Sequence, residues 1–170
     1  YFGDVFINKT ELKMNHQISE VTPTKVEVKE ISSFIVAYIR YIGPYKGNAE
    51  LFGNLFGRLF NWAGPRNLCL PTSKLLAVYH DNPEITDEEK LRLTDEIGKM
   101  EIAGGKYVVA SFELTEKDYQ KAWDYVYSEW FPSSGYQPND NPCFELYLND
   151  PKEHPEGKHI VDIYVPVKPL

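Results

Sequence analysis

The segment FELYLNDP, residues 144–151, matches LAVYHDNP, residues 76–83, position by position without a gap. Tyr147 falls on Tyr79, and both segments end in proline. Apolar residues alternate with Glu145 and Tyr147 in the second segment. A β-strand has this pattern, because neighbouring side chains face opposite sides of the sheet. The match predicts that the chain carries one structural module twice, about 70 residues apart.

The elements around these two strands follow the same order in both halves of the chain. Hydrophobic periodicity predicts strands at 24–30, 34–42, 74–81, 91–98, 104–114 and 159–167, besides the strand of Glu145, and helices at 48–64 and after 115–118. We therefore predict an α+β fold of two tandem strand-helix-strand-strand modules. They are related by a pseudo-two-fold axis and enclose a ligand cleft. The binding domain spans 24–170, with modules at about 24–98 and 99–168, and residues 1–23 form a linker or N-terminal extension.

The two predicted helices carry recognisable end signals. Asn48 is the predicted N-cap of the first helix and Gly64 its stop. Residues 115–118 resemble a capping box that opens the second helix. Gly53 and Gly57 each weaken the first helix by about 1 kcal/mol relative to alanine. Their presence predicts a close approach of this helix to the sheet.

The composition limits the classes of partner. Hydrophobic residues make up 42% and charged residues 25%, which is typical of a globular protein. A net charge of −7 argues against direct nucleic-acid binding, which favours a basic surface. Cys69, Cys143 and the four histidines show no metal-ligand spacing. The sequence predicts no metal site and no cofactor.

Targeting signals are absent from the sequence. No apolar run approaches the roughly 20 residues that cross a bilayer, and the polar N-terminus does not resemble a signal peptide. We therefore expect a cytoplasmic protein without a membrane partner. The first residue is Tyr1 rather than methionine, which predicts that the chain is processed or belongs to a longer polypeptide.

Glu145 is the most informative polar residue of the predicted strands. Phe144 and Leu146 form a face that is apolar enough to lie under a helix, whereas Glu145 and Tyr147 form the other face. If the two modules meet along this face, the cleft has aromatic walls and one carboxylate, which suits a flat, lipophilic cation. The alternative is a solvated or salt-bridged Glu145, with Tyr147 as sheet packing.

Two longer segments carry a family resemblance. GGKYVVASFELTEKDYQKAWDYVYSEWFPSSGYQPNDNPCFELYLNDP, residues 104–151, and VAYIRYIGPY, residues 36–45, resemble the gyrase-inhibitor-like (GyrI-like) effector-binding domains, which also occur at the C-terminus of AraC-type transcription regulators. The resemblance covers about residues 24–168. It implies a cleft in which an acidic residue contacts cationic, aromatic ligands. The matching ligand-binding residues are Glu145, Tyr147 and Trp130, and the internal repeat adds Tyr79.

Three functions follow from this resemblance. The first is effector binding in a transcription regulator of AraC type, which contacts DNA only through a separate, fused helix-turn-helix domain. The second is hydrolysis of electrophilic xenobiotics, with Glu145 as general base and Tyr147 as hydrogen-bond donor. The third is binding of a protein partner such as gyrase. The oligomeric state stays open, with a homodimer as one alternative.

Overall fold

The computed structural model describes residues 21–41, 48–79 and 97–170. Most of the predicted linker therefore lies outside the described residues. The strands are β1 (Lys25–Ile31), β2 (Phe34–Tyr38), β3 (Leu75–Tyr79), β4 (Gly98–Ile102), β5 (Gly105–Leu114), β6 (Tyr136–Pro138), β7 (Cys143–Tyr147) and β8 (His159–Pro169). The helices are α1 (Ala49–Ala63), α2 (Tyr119–Tyr125) and α3 (Phe131–Ser134). The predicted α+β class is confirmed.

The main sheet brings strands of both halves together. Its order is β1-β5-β8-β7-β3, with β6 added on β8, and its neighbouring strands are antiparallel. β5 and β8 are the longest strands and lie at its centre, where their apolar side chains are almost fully buried. β2 and β4 form a separate two-stranded sheet. Within the residues that the structure describes, no helix combines the length and apolarity needed to cross a lipid bilayer.

The small sheet is a continuation of the main one, bent at a single point. Ile31 pairs with Gly105 and Phe34 pairs with Ile102, so the register is unchanged across the break. At the break, a Cβ on Gly104 would lie 2.7 Å from the backbone nitrogen of Ser33. Only glycine leaves room for this crossing, since a side chain there would collide with backbone atoms.

The bend places β2 and β4 against the face of the main sheet that lacks α2. Phe144 is packed there with Tyr107 and Val109, and its ring meets Phe34 edge-on at 6.0 Å. The prediction that the Phe144 face lies under a helix is therefore wrong. Side-chain alternation defines two faces of a strand, but it does not say which layer covers each face.

The second helix begins at a partial capping box and is interrupted by a π-helical turn. Asp118 accepts hydrogen bonds from the backbone nitrogen of Thr115 at 3.1 Å and from its hydroxyl at 2.6 Å, as one half of a capping box. A π-helical turn, Val126–Trp130, joins α2 to α3. Pro132 follows directly and has no N–H with which to continue a regular helical ladder.

α1 begins as predicted but packs loosely. Asn48 accepts a hydrogen bond from the backbone nitrogen of Leu51 at 3.0 Å, which confirms the predicted N-cap. A Cβ added at Gly53 or Gly57 would have no neighbouring atom within 4 Å, so the predicted close approach to the sheet is wrong. No residue of α1 is buried. The helix runs into a 3-10 turn, Gly64–Arg66, and the left-handed residue that ends it is Asn67.

Several predicted strands are shorter in the structure. The strand predicted at 34–42 ends at Tyr38. The one predicted at 74–81 begins at Leu75, and its last two predicted residues lie outside the described part of the chain. Most of the strand predicted at 91–98 lies outside the described residues, and β4 begins at Gly98. These differences concern the ends of the strands, and the order of the elements is unaffected.

Candidate functional site

The two strands that carry the sequence repeat pair directly with each other. In the antiparallel β3–β7 ladder, Ala77 lies opposite Glu145, Tyr79 opposite Cys143 and Leu75 opposite Tyr147. The repeat matches Ala77 with Glu145 and Tyr79 with Tyr147. Exchanging the halves therefore maps the Ala77–Glu145 pair onto itself. The local pseudo-two-fold axis passes between these two residues, and the carboxylate is what breaks its symmetry.

Glu145 is buried and accepts three side-chain hydrogen bonds. Only 3% of its surface is exposed. The hydroxyl groups of Tyr79 and Tyr147 donate to Oε2 at 2.9 and 2.7 Å. The indole N–H of Trp123 donates to Oε1 at 2.6 Å. β3, β7 and α2 therefore each supply one neutral donor to the same carboxyl group.

Among the described residues, Glu145 has no positively charged partner. None of the ion pairs formed by the described side chains includes Glu145. Burial raises the pKa of Glu145, because removal from water penalises the charged form, while its three hydrogen bonds act in the opposite direction. The alternative of a solvated or salt-bridged Glu145 is therefore wrong for the described structure.

Aromatic rings surround the carboxyl group. Trp123 meets the ring of Tyr79 edge-on at 5.8 Å and stacks on Tyr127 at 6.2 Å. On the other side, Tyr147 meets Phe56 of α1 edge-on at 5.9 Å. Burial and the charge of Glu145 both raise the pKa of Tyr147, so this phenol keeps its proton at neutral pH. The walls of the site are thus neutral and polarisable.

The structure brings three of the four predicted site residues together. Glu145, Tyr79 and Tyr147 form one hydrogen-bonded group. Trp130 instead stacks on Tyr136 at 6.1 Å and meets Phe131 edge-on at 5.0 Å. The tryptophan that contacts Glu145 is Trp123. A role for Trp130 in ligand binding stays a prediction.

Trp123 was not among the predicted site residues. It is buried among apolar side chains, with 4% of its surface exposed. A buried tryptophan still needs an acceptor for its N–H, and a strand carboxylate of the same module is a suitable acceptor. This requirement is the sequence signal that could have pointed to the Trp123–Glu145 contact.

A second polar pair lies close to the site. The hydroxyl of Tyr119, at the start of α2, is 2.6 Å from Nδ1 of His159 at the start of β8. Burial raises the pKa of Tyr119, and the charge of Glu145 adds to this effect. Burial lowers the pKa of His159, which favours the neutral imidazole. Neither residue was among the predicted site residues.

A comparison with protein-family models identifies the family of this chain. A family model described as the GyrI-like small-molecule-binding domain matches residues 24–168. The chain belongs to this family. Curated relatives include proteins named DNA gyrase inhibitor from Escherichia coli K12, 29% identical, and Citrobacter rodentium, 28% identical. These matches cover 84% and 85% of this chain and 96% and 97% of the relatives.

Solved structures share the fold of this GyrI-like chain. SAV2435 bound to tetraphenylphosphonium superposes with a TM-score of 0.55 at 15% identity, over 85% of this chain and 94% of the other. The C-terminal domain of EcmrR superposes with a TM-score of 0.56 at 18% identity, over 86% and 98%. Among the described residues of this chain, no group of three or more His, Cys, Asp or Glu side chains is arranged to hold a metal ion.

Proposed function

We propose that this protein binds a lipophilic organic cation, with Glu145 as its counter-charge. The observation that carries the proposal is the buried carboxyl group, which has three neutral hydrogen-bond donors and no cationic partner among the described side chains. Buried charges are ordinarily paired, because an unpaired one costs several kcal/mol. A site of this kind gains from any positive ligand that supplies the missing charge.

The aromatic walls favour a lipophilic cation over a hydrated one. Tyr79, Trp123 and Tyr147 present rings beside the carboxyl group, and each well-placed ring contributes roughly 0.5–2 kcal/mol to cation binding. A small inorganic cation would need several oxygen ligands, whereas this site supplies one carboxyl group whose oxygens already accept three hydrogen bonds. The small-molecule-binding family and the tetraphenylphosphonium complex of SAV2435 support the same class of ligand.

The ligand needs a way to the buried carboxyl group, and α1 is the wall that is easiest to displace. α2 buries Ala122 and Trp123, whereas α1 buries none of its residues. Phe56 links α1 to the site by an edge-on contact with Tyr147. An element with few buried contacts opens at low cost in free energy. We therefore infer that the ligand enters from the side of α1.

Calorimetric titration with tetraphenylphosphonium tests the proposal. We expect saturable binding to the unmodified protein and at least a tenfold loss of affinity in Glu145→Gln. Glu113→Gln is the matched control, because it makes the same change at an exposed position of β5. Equal affinity in Glu145→Gln and the unmodified protein would refute the role of Glu145. Absence of binding to the unmodified protein, by tetraphenylphosphonium and by a panel of other lipophilic organic cations, would refute the proposed function.

A regulatory role is a second candidate. The fold shared with the EcmrR C-terminal domain supports effector sensing in a transcription regulator, and AraC type is the class that we predict from sequence. Ligand binding would then favour one state of a larger protein by differential affinity. The test is DNA binding by the full reading frame with and without tetraphenylphosphonium. Identical DNA affinity in both conditions would count against this role.

Inhibition of gyrase is favoured by the curated relatives, since the alignments cover nearly their full length. A supercoiling assay with purified gyrase tests this function. Inhibition that is unchanged in Glu145→Gln would indicate a surface contact, and inhibition that is lost would indicate the ligand site. Hydrolysis of an electrophilic ring compound is the remaining alternative. It needs Glu145 as a base and Tyr147 as a donor, and turnover that is lost in Glu145→Gln would support it.

A further inference from the structure

In the ligand-free site, an ionised Glu145 would be a buried charge without a cationic partner among the described side chains. Glu145 is 3% exposed and its three hydrogen-bond partners are neutral. Hydrogen bonds from neutral groups compensate only part of the cost of moving a carboxylate out of water. A proton on the carboxyl group removes that cost without any cationic side chain.

We propose that Glu145 exchanges a proton for the positive charge of the ligand, so that each cation bound releases one proton. This inference rests on the proposed cation-binding function. In the ligand-free protein the carboxyl group is neutral. When the cation enters, the carboxyl O–H bond breaks and the proton passes to solvent, leaving a carboxylate beside the cation. No oxidant or reductant is involved, and charge is conserved within the site.

The acceptor positions of the carboxyl group locate the exchange at Oε1. An ionised carboxylate has about four acceptor positions. Tyr79 and Tyr147 use the two positions of Oε2, and Trp123 uses one position of Oε1. The remaining position on Oε1 can hold the proton or face the ligand. Proton and cation therefore compete for the same side of the carboxyl group, which makes their binding mutually exclusive.

Among the described residues, the titratable groups around the site do not offer another source for the proton. They are Tyr79 on β3, Cys143 and Tyr147 on β7, Tyr119 on α2, His159 on β8 and Glu116 before α2. The pKa values of Tyr119 and Tyr147 are raised, so these phenols stay protonated at neutral pH. His159 is the group whose ordinary pKa lies nearest to neutral pH, and burial lowers it. Glu116 is exposed to solvent.

Proton release is measurable without identifying the natural ligand. Calorimetric titration with tetraphenylphosphonium is repeated in buffers of different ionisation enthalpy. The slope of the observed enthalpy against the buffer enthalpy counts the protons released. We expect about one proton per ligand below the raised pKa of Glu145, falling towards zero above it. Affinity then rises with pH by up to about tenfold per unit over the same range.

Two variants identify the source of the proton. His159→Asn keeps a hydrogen-bond acceptor for Tyr119 but removes the imidazole, and it should release the same number of protons as the unmodified protein. Loss of release in His159→Asn would assign the proton to His159 and overturn the exchange at Glu145. Glu145→Gln should show no release in any residual binding.

Infrared difference spectroscopy tests the exchange on the unmodified protein, so it does not depend on whether the variants fold. In the unmodified protein, tetraphenylphosphonium should remove the carbonyl band of a protonated carboxylic acid. Cation binding without proton release, with an affinity that is constant from pH 4.5 to about pH 8, would overturn the exchange and leave the proposed function intact. Absence of any cation binding would overturn both.

Discussion

The indole N–H of Trp123 donates to Oε1 of Glu145 at 2.6 Å, and this contact ties α2 to β7 at the pseudo-two-fold axis. The helix of the second module thus holds the acidic group that stands opposite Ala77 in the paired repeats. Because Ala77 occupies the equivalent position on β3, the first module contributes no second carboxylate there. The duplicated fold therefore forms an asymmetric site.

Replacing Trp123 and Trp130 separately should have different consequences. Trp123→Phe removes a hydrogen bond to a carboxyl group that is neutral in the ligand-free protein, and it should lower the free energy of unfolding by about 0.5–1.5 kcal/mol. It should also weaken tetraphenylphosphonium binding, because the carboxylate loses a donor. Trp130→Phe removes part of a stack on Tyr136. Both variants are measured by denaturant unfolding and calorimetric titration. Weaker binding in Trp130→Phe at unchanged stability would support the predicted role of Trp130 in ligand binding.

The stability of the protein should depend on Glu145 through pH. Burial raises the pKa of Glu145 above its ordinary value of 4.5, so between these two values the folded protein holds more protons than the unfolded chain. Stability from this group is therefore lost as pH rises from 4.5 through the raised pKa. Denaturant unfolding over a pH series should show this loss in the unmodified protein and not in Glu145→Gln. Glu113→Gln should retain this loss of stability. If Glu145→Gln lost stability with pH as the unmodified protein does, Glu145 would not be its source.

The two tyrosine hydroxyls should stabilise the site jointly. Tyr79→Phe and Tyr147→Phe each keep the ring and remove one donor to Oε2. We expect each to lower the free energy of unfolding by about 0.5–1.5 kcal/mol. Each should also raise the pKa of Glu145 further, since both bonds favour its charged form. Because both bonds share one oxygen, the double variant should show coupling of about 0.5–3 kcal/mol in a double-mutant cycle. Strict additivity would indicate independent roles.

Two glycine substitutions with opposite expected effects test the bend between the sheets. Gly104→Ala places a Cβ 2.7 Å from the backbone nitrogen of Ser33 and 2.8 Å from the carbonyl oxygen of Ile31. Such overpacking should destabilise the protein by about 1–3 kcal/mol. Gly53→Ala is the control, since its Cβ meets no atom within 4 Å and alanine strengthens α1 by about 1 kcal/mol. Thermal unfolding measures both. A neutral Gly104→Ala variant would show that the crossing adapts without strain.

The place of Glu145 on a strand was predictable because the signals are local. The alternation around it, the flanking turns and the match between 76–83 and 144–151 all lie within short stretches of chain. The same local information placed Tyr79 and Tyr147 at related positions. The direct pairing of the repeated strands, with Ala77 opposite Glu145, is seen only in the structure.

The choice between Trp123 and Trp130 was not predictable from periodicity. A regular helix places both on one apolar face. The π-helical turn at Val126–Trp130 changes the phase of the helix between them, so Trp123 faces Glu145 while Trp130 packs against Tyr136. This change follows from the backbone of the folded chain and leaves no periodic signal in the sequence.

The amino-acid sequence by itself determined the duplicated module, the strand character of its repeated segment and the place of Glu145 where the other copy has alanine, because these depend on neighbouring residues alone. Only the tertiary structure decided that Glu145 is buried, that its donors are Tyr79, Tyr147 and Trp123, and that helices rather than the small sheet cover its face. Burial and hydrogen bonding between distant residues depend on how layers pack in space, and that packing sets the charge state on which the proposed function rests.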